Sequence, residues 1–103
     1  MTKFLVLYRA DKAVAEQMQL ATPEQQQATM DLWTQWAAKA GPAIVDLGAP
    51  LAPVAAGDGD WIGGFSVLQA DSAQAVQAVL EGHPHTALGG TIDVHEFMPM
   101  PGM

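Results

Sequence analysis

Apolar and polar positions divide the chain into four strand-like and two helix-like segments. "KFLVLY", Lys3 to Tyr8, is a short apolar run with branched and aromatic members, and it predicts a buried strand. Asp11 to Leu20 mixes polar and apolar residues without a clean period, as a mobile loop or a helical turn would. "TPEQ" then opens a helix: Thr22 caps, Pro23 suits the first helical position, Glu24 complements the dipole, and Gln25 completes a capping box. The helix runs through Ala40 and stops at Gly41-Pro42, with Met30, Trp33, Ala37 and Ala40 as its buried stripe and Trp36 at the border. "AIVDLG", Ala43 to Gly48, is a second strand, followed by the Pro-, Gly- and Asp-rich surface loop "APLAPVAAGDGD". "WIGGFSVLQA", Trp61 to Ala70, is a third strand, whose Gly63-Gly64 pair predicts a bulge or a close approach to the backbone. Asp71 caps a second helix with Val76, Val79 and Leu80 inward, and Gly82 ends it. "EGHPHTALGG", Glu81 to Gly90, connects to an alternating fourth strand, "TIDVHEFM", Thr91 to Met98, and a Pro-interrupted tail.

The order β-α-β-β-α-β predicts an α+β, ferredoxin-like domain with a four-stranded antiparallel sheet and both helices on one face, residues 1–103 forming a single domain. The other sheet face is then open. Alternation puts Val45 and Leu47 on one side of strand two and Ile44 and Asp46 on the other. Phe65 and Val67 oppose Gly64, Ser66 and Leu68 in strand three, and Ile92 and Val94 oppose Asp93, His95 and Phe97 in strand four. With the more apolar sides under the helices, the open face carries Asp46, Ser66, Asp93 and His95 among Ile44, Leu68 and Phe97. Two such sheets packed face to face would enclose a pocket lined by acids, a hydroxyl and an imidazole, with Tyr8 as a further lining residue.

Composition narrows the classes. At 103 residues the chain supports one core. Half the residues are hydrophobic and only 15% are charged, which argues against disorder and for some apolar surface turned to a partner, most simply a homodimer. A net charge of −7, with only Lys3, Arg9, Lys12 and Lys39 basic and dispersed, disfavours nucleic acid. No apolar run reaches membrane-spanning length, and the start is too strand-like for a signal peptide, so a cytoplasmic location without membrane association is expected. The absence of cysteine excludes disulfides, thiolate nucleophiles and cysteine metal sites.

Three histidines and a strand carboxylate carry the candidate chemistry. His83 and His85 flank Pro84, which restricts their loop; as acid–base groups they would titrate near neutrality, with Asp46 orienting an imidazole. The competing reading makes one a cap for helix carbonyls and the other a solvated side chain. His-x-His with His95 or Asp93 offers three metal ligands, but no tight ligand motif accompanies them, and no metal is expected. Ser66 and Ser72 lie in no nucleophile elbow, and Gly63-Gly64 is no phosphate loop. Trp33 and Trp36 read as core or interface residues, and Trp61 as a pocket wall. Asp46, flanked by Val45 and Leu47, needs a partner or water.

"KFLVLYRA", "ATPEQ", "MDLWTQWAAKAGPAIVDLGAPLAP", "GGFSVLQADS" and "AVLEGHPHTALGGTIDVHEFMPM" together resemble the YCII-related proteins over nearly the whole chain. The resemblance implies a dimeric α+β barrel with ferredoxin-like protomers and a His–Asp pair in a dimer pocket. One branch looks like lyases that eliminate chloride from chlorinated hydroquinones, and the wider superfamily includes muconolactone isomerases and small monooxygenases. The family's first-helix histidine is missing here, Met30 falling near its position. The family's Asp-Pro-Tyr step before the last strand is His83-Pro84-His85, which moves any imidazole chemistry to this loop. The expectation is therefore a cofactor-free isomerase or lyase acting on a small cyclic or aromatic molecule. His83 or His85 moves the proton, Asp46 orients the imidazole, and Tyr8, Ser66, His95 and Trp61 bind substrate. The alternative is a non-catalytic ligand-binding or accessory dimeric protein.

Overall fold

In a computed structural model of the protein, the described residues are 1–11, 13, 16, 17, 20–52, 54, 55 and 61–99, without the Trp61 side chain. The expected pocket wall at Trp61, the centre of the Pro-Gly-Asp loop and the end of the tail thus lie outside the described residues. Four strands, β1 (Thr2–Ala10), β2 (Ile44–Pro50), β3 (Trp61–Ala70) and β4 (Thr91–Glu96), form one sheet in the order β2-β3-β1-β4, every neighbouring pair antiparallel. Helix α1 (Pro23–Ala40) joins β1 to β2 through a 3₁₀ turn (Gly41–Ala43), and α2 (Ala73–Leu80) with a short α3 (Pro84–Ala87) joins β3 to β4. This is the expected ferredoxin-like α+β plan with one addition: the histidine connection contains a helical turn of its own.

Local chemistry explains the helices. Thr22 Oγ1 accepts from the Gln25 amide at 3.1 Å while Gln25 Oε1 accepts from the Thr22 amide at 2.9 Å, the reciprocal capping box. Ser72, not Asp71, caps α2, its hydroxyl accepting from the Ala75 amide at 3.1 Å. Asp71 sits one residue too early for its side chain to reach the third helical amide. The buried stripe of α1 also differs from expectation at its N-terminal end. Trp36 is buried and Trp33, Ala37 and Ala40 pack on the core, whereas Met30 is 60% exposed. Thr29, four residues before Trp33, continues the inward face instead.

The strand faces are where alternation succeeds and fails. In β4, Ile92 and Val94 pair with Tyr8 and Val6 on the helix side, leaving Asp93 and His95 on the open side, as expected. In β2 the register shifts between Ile44, opposite Leu68, and Asp46, opposite Val67, so these two residues do not share a face. In β3 the expectation inverts. Ser66 and Leu68 are fully buried under the helices, while Phe65 and Val67 pair with Leu7 and Leu5 on the open side. Volume decides this, not polarity: Phe4, Val6, Tyr8 and Trp36 fill the helix side, and beside them Gly64 and Ser66 leave the room a Phe would occupy. The glycine pair does form a bulge, the β1 register slipping between Tyr8, opposite Gly64, and Arg9, opposite Ile62. No described helix is long and apolar enough to cross a membrane.

Candidate functional site

The site is built where the β1 strand passes beneath α1 and meets the histidine turn. Gly82 takes φ +73 at the end of α2, and His83 follows as the N-cap of α3, with Pro84 in the first helical position. The cap is an imidazole: the His85 amide donates to His83 Nδ1 at 3.0 Å. The Thr86 hydroxyl donates to the His83 carbonyl at 2.8 Å and fixes the same turn. His85 points back to β1, its Nε2 2.7 Å from the Arg9 carbonyl. Gly90 is required here, since a Cβ at that position would fall on the His85 ring.

Around His83 the walls are aromatic. Tyr8 stacks on it at 4.9 Å between centroids and 27°, and Trp33 and Trp36 meet it edge to face at 4.5 and 4.4 Å. Tyr8 also packs edge to face on Trp33 at 5.0 Å and lies 5.4 Å from the His85 ring. The Trp36 indole donates to the Val79 carbonyl at 3.0 Å, tying α1 to α2 behind the cluster. The Tyr8 hydroxyl donates to Ser66 Oγ at 2.8 Å, and Ser66 in turn donates to the Leu47 carbonyl at 2.6 Å. A polar relay therefore runs from the cluster to the β2 bulge.

Electrostatics follow from burial. The His83 ring is fully enclosed, and Nε2 is a buried nitrogen without a hydrogen-bond partner among the described residues. Burial, and after it repulsion from His85, lowers its pKa from 6.5 to about 4, so it is neutral at pH 7. Burial raises the Tyr8 pKa above its ordinary value, partly opposed by the bond to Ser66.

Tyr8, Ser66, His83 and His85 are thus brought together, on the helix side of the sheet. Asp46 and His95 are exposed and belong to the open side, where Arg9 and Asp93 form a half-exposed ion pair at 3.0 Å. Asp46 Oδ1 accepts from the Gly48 amide at 2.8 Å; among the described residues no hydrogen bond or ion pair joins it to either histidine. The partner of His83 Nδ1 is a backbone amide rather than a carboxylate. Sequence reasoning gave Trp33 and Trp36 only a packing role, although Trp-x-x-Trp at helical spacing already put two indoles on one face. No three His, Asp or Glu side chains converge on a metal position among the described residues. An open groove of about 610 Å³ between α2 and edge strand β4 is lined by Leu80, Glu81, Thr86, Ile92 and Val94, among others, but by neither imidazole. It is shallow surface rather than chemistry.

No family model matches the chain, and no curated protein does. Among solved structures the chain is similar to 5-chloro-2-hydroxyhydroquinone dehydrochlorinase (TftG) from Burkholderia phenoliruptrix AC1100, in complex with 2,5-dihydroxybenzoquinone. The two share 18% identity at a TM-score of 0.56, over 95% of this chain and 94% of that one. The likeness is one of fold.

Proposed function

We propose that this protein binds a small cyclic or aromatic molecule at the imidazole–aromatic cluster and moves a proton on it without a cofactor, as a lyase or isomerase would. One observation carries the reading: a fully buried imidazole nitrogen left without a partner among Tyr8, Trp33 and Trp36. An unsatisfied buried polar atom costs about 1–3 kcal/mol, and such atoms persist where a ligand uses them. The fold shared with a dehydrochlorinase solved with a hydroxyquinone supports phenols and quinones as the ligand class. Flat rings suit walls made of Tyr8 and two indoles.

Roles divide by available lone pairs. The Arg9 carbonyl can only accept, so His85 donates to it from Nε2, which leaves Nδ1 as the nitrogen that can serve as the base. The Tyr8 proton is committed to Ser66, so the phenol oxygen offers lone pairs to a substrate hydroxyl, and Ser66 positions it. Trp33, only partly buried, is the wall a ligand meets first. The open sheet face, with Leu5, Leu7, Phe65 and Val67 half-buried, is covered by a second copy, which would bring Asp46 and His95 to the interface.

Turnover of hydroxylated quinones and phenols, 5-chloro-2-hydroxyhydroquinone first, tests the reading. The protein should convert at least one, and His85→Ala should abolish conversion while Asp46→Ala has the smaller effect. The missing bond between Asp46 and the histidines favours a second reading, a non-catalytic ligand-binding or accessory protein. Binding of such compounds without any turnover would establish that one instead.

A further inference from the structure

We infer that His83 serves its ligand as a hydrogen-bond donor of fixed tautomer, presenting Nε2–H to a carbonyl or phenolate oxygen, and that it is not the base. The inference rests on the proposed ligand site and assigns its polarity. A backbone amide can only donate, so the 3.0 Å contact from the His85 amide requires a lone pair on His83 Nδ1. The neutral ring must then carry its proton on Nε2, the atom that is buried and unpartnered. Protonating Nδ1 would set two N–H groups against each other in the first turn of α3. The ring therefore cannot accept a proton where a base would need to, and its one free function is donation.

The surroundings strengthen this assignment. The depressed basicity of the ring keeps it uncharged through the neutral range, so the donor is a neutral imidazole rather than an imidazolium. Neither Trp33 nor Trp36 offers a lone pair to an N–H, and the Tyr8 ring stacks on the imidazole. An oxygen placed there would receive a hydrogen bond in a water-poor setting, where such a bond is strong. In the same cluster of rings, Tyr8 has acceptor lone pairs and His85 a second nitrogen, Nδ1, that does not face the Arg9 carbonyl. Donor, acceptor and base in one cluster fit a ring that bears a carbonyl next to, or across from, a hydroxyl.

Two substitutions separate ligand donation from helix capping. His83→Asn places an amide oxygen near the position of Nδ1 and keeps the cap but has nothing at Nε2; His83→Gln reaches the Nε2 position with an N–H and loses the cap. Titrating the full-length protein with 2,5-dihydroxybenzoquinone, and following tryptophan fluorescence, should give wild-type-like binding for His83→Gln. His83→Asn should bind at least about tenfold more weakly, the loss of one buried hydrogen bond. Long-range ¹H–¹⁵N spectra of the unliganded protein should show the His83 proton on Nε2. Binding that is equal in the two variants, or a proton on Nδ1, overturns the donor assignment while leaving the ligand site in place. Failure of the wild type to bind the quinone or any related phenol removes the site and the donor together.

Discussion

Burying the His83 imidazole makes stability depend on pH in a direction that can be worked out. Its folded-state pKa is about 4 against 6.5 for a free histidine. Between those values the unfolded chain binds a proton that the folded chain refuses, so stability falls as the solution is acidified. It is complete above pH 6.5, declines through the window down to about 4, and the full loss is roughly 3 kcal/mol. Tyr8 and His85 are the titratable groups against this ring among the described residues, and Tyr8 stays uncharged throughout the window. Urea unfolding at pH 7 and pH 4.5 should show the drop, and His83→Gln should reduce it. An unchanged slope in that variant would mean that the carboxylates, not His83, govern acid sensitivity. At this scale the sequence was only partly readable. Pro84 announced a constrained histidine pair, but the partners of the two rings are the His85 amide and the Arg9 carbonyl, and backbone atoms leave no residue signature.

At the level of elements, bulges decide which side chains the sheet hands to the helices. Gly48 holds the β2 bulge: it has φ +88, and an added Cβ would collide with the Phe65 backbone carbonyl. Gly48→Ala should therefore destabilise the fold by at least roughly 2 kcal/mol, combining backbone strain with the collision. Gly82→Ala, also at positive φ but with open space around its Cβ, should lose less. Chemical denaturation of both variants measures the difference; equal losses would show that the β2–β3 approach is not rigid. A separate register shift, earlier in β2, explains a misreading. Strict alternation put Ile44 and Asp46 on one face, and a single register shift separates them. Capping, by contrast, was legible at Thr22 because its geometry is local. The β3 faces were not, because whether Phe65 or Ser66 turns inward depends on what Tyr8 and Trp36 already occupy.

For the whole molecule, element order sufficed for the α+β topology, since β-α-β-β-α-β with short connections leaves few other sheets to build. The grouping of the side chains in the proposed site did not follow from it. Expectation set the pocket on the open sheet face, but Tyr8, Ser66, His83 and His85 gather beneath α1. The open face keeps a different task in this account. Leu5, Leu7, Phe65 and Val67 form an apolar strip beside the Arg9–Asp93 pair, the face proposed above to receive a second copy. Sedimentation at micromolar concentration should find a dimer, and Leu7→Glu should yield a monomer that retains the imidazole cluster. A wild-type monomer would remove the self-association.

The central claim, that a small ring binds at the cluster under α1, is tested most directly by titrating 2,5-dihydroxybenzoquinone into isotope-labelled protein and mapping the resonances that move. The largest shifts should fall at Tyr8, Trp33, His83 and His85, with His95 and Asp46 little changed. Shifts confined to Asp46, His95 and the open sheet face, with the His83 ring signals unmoved, would contradict it.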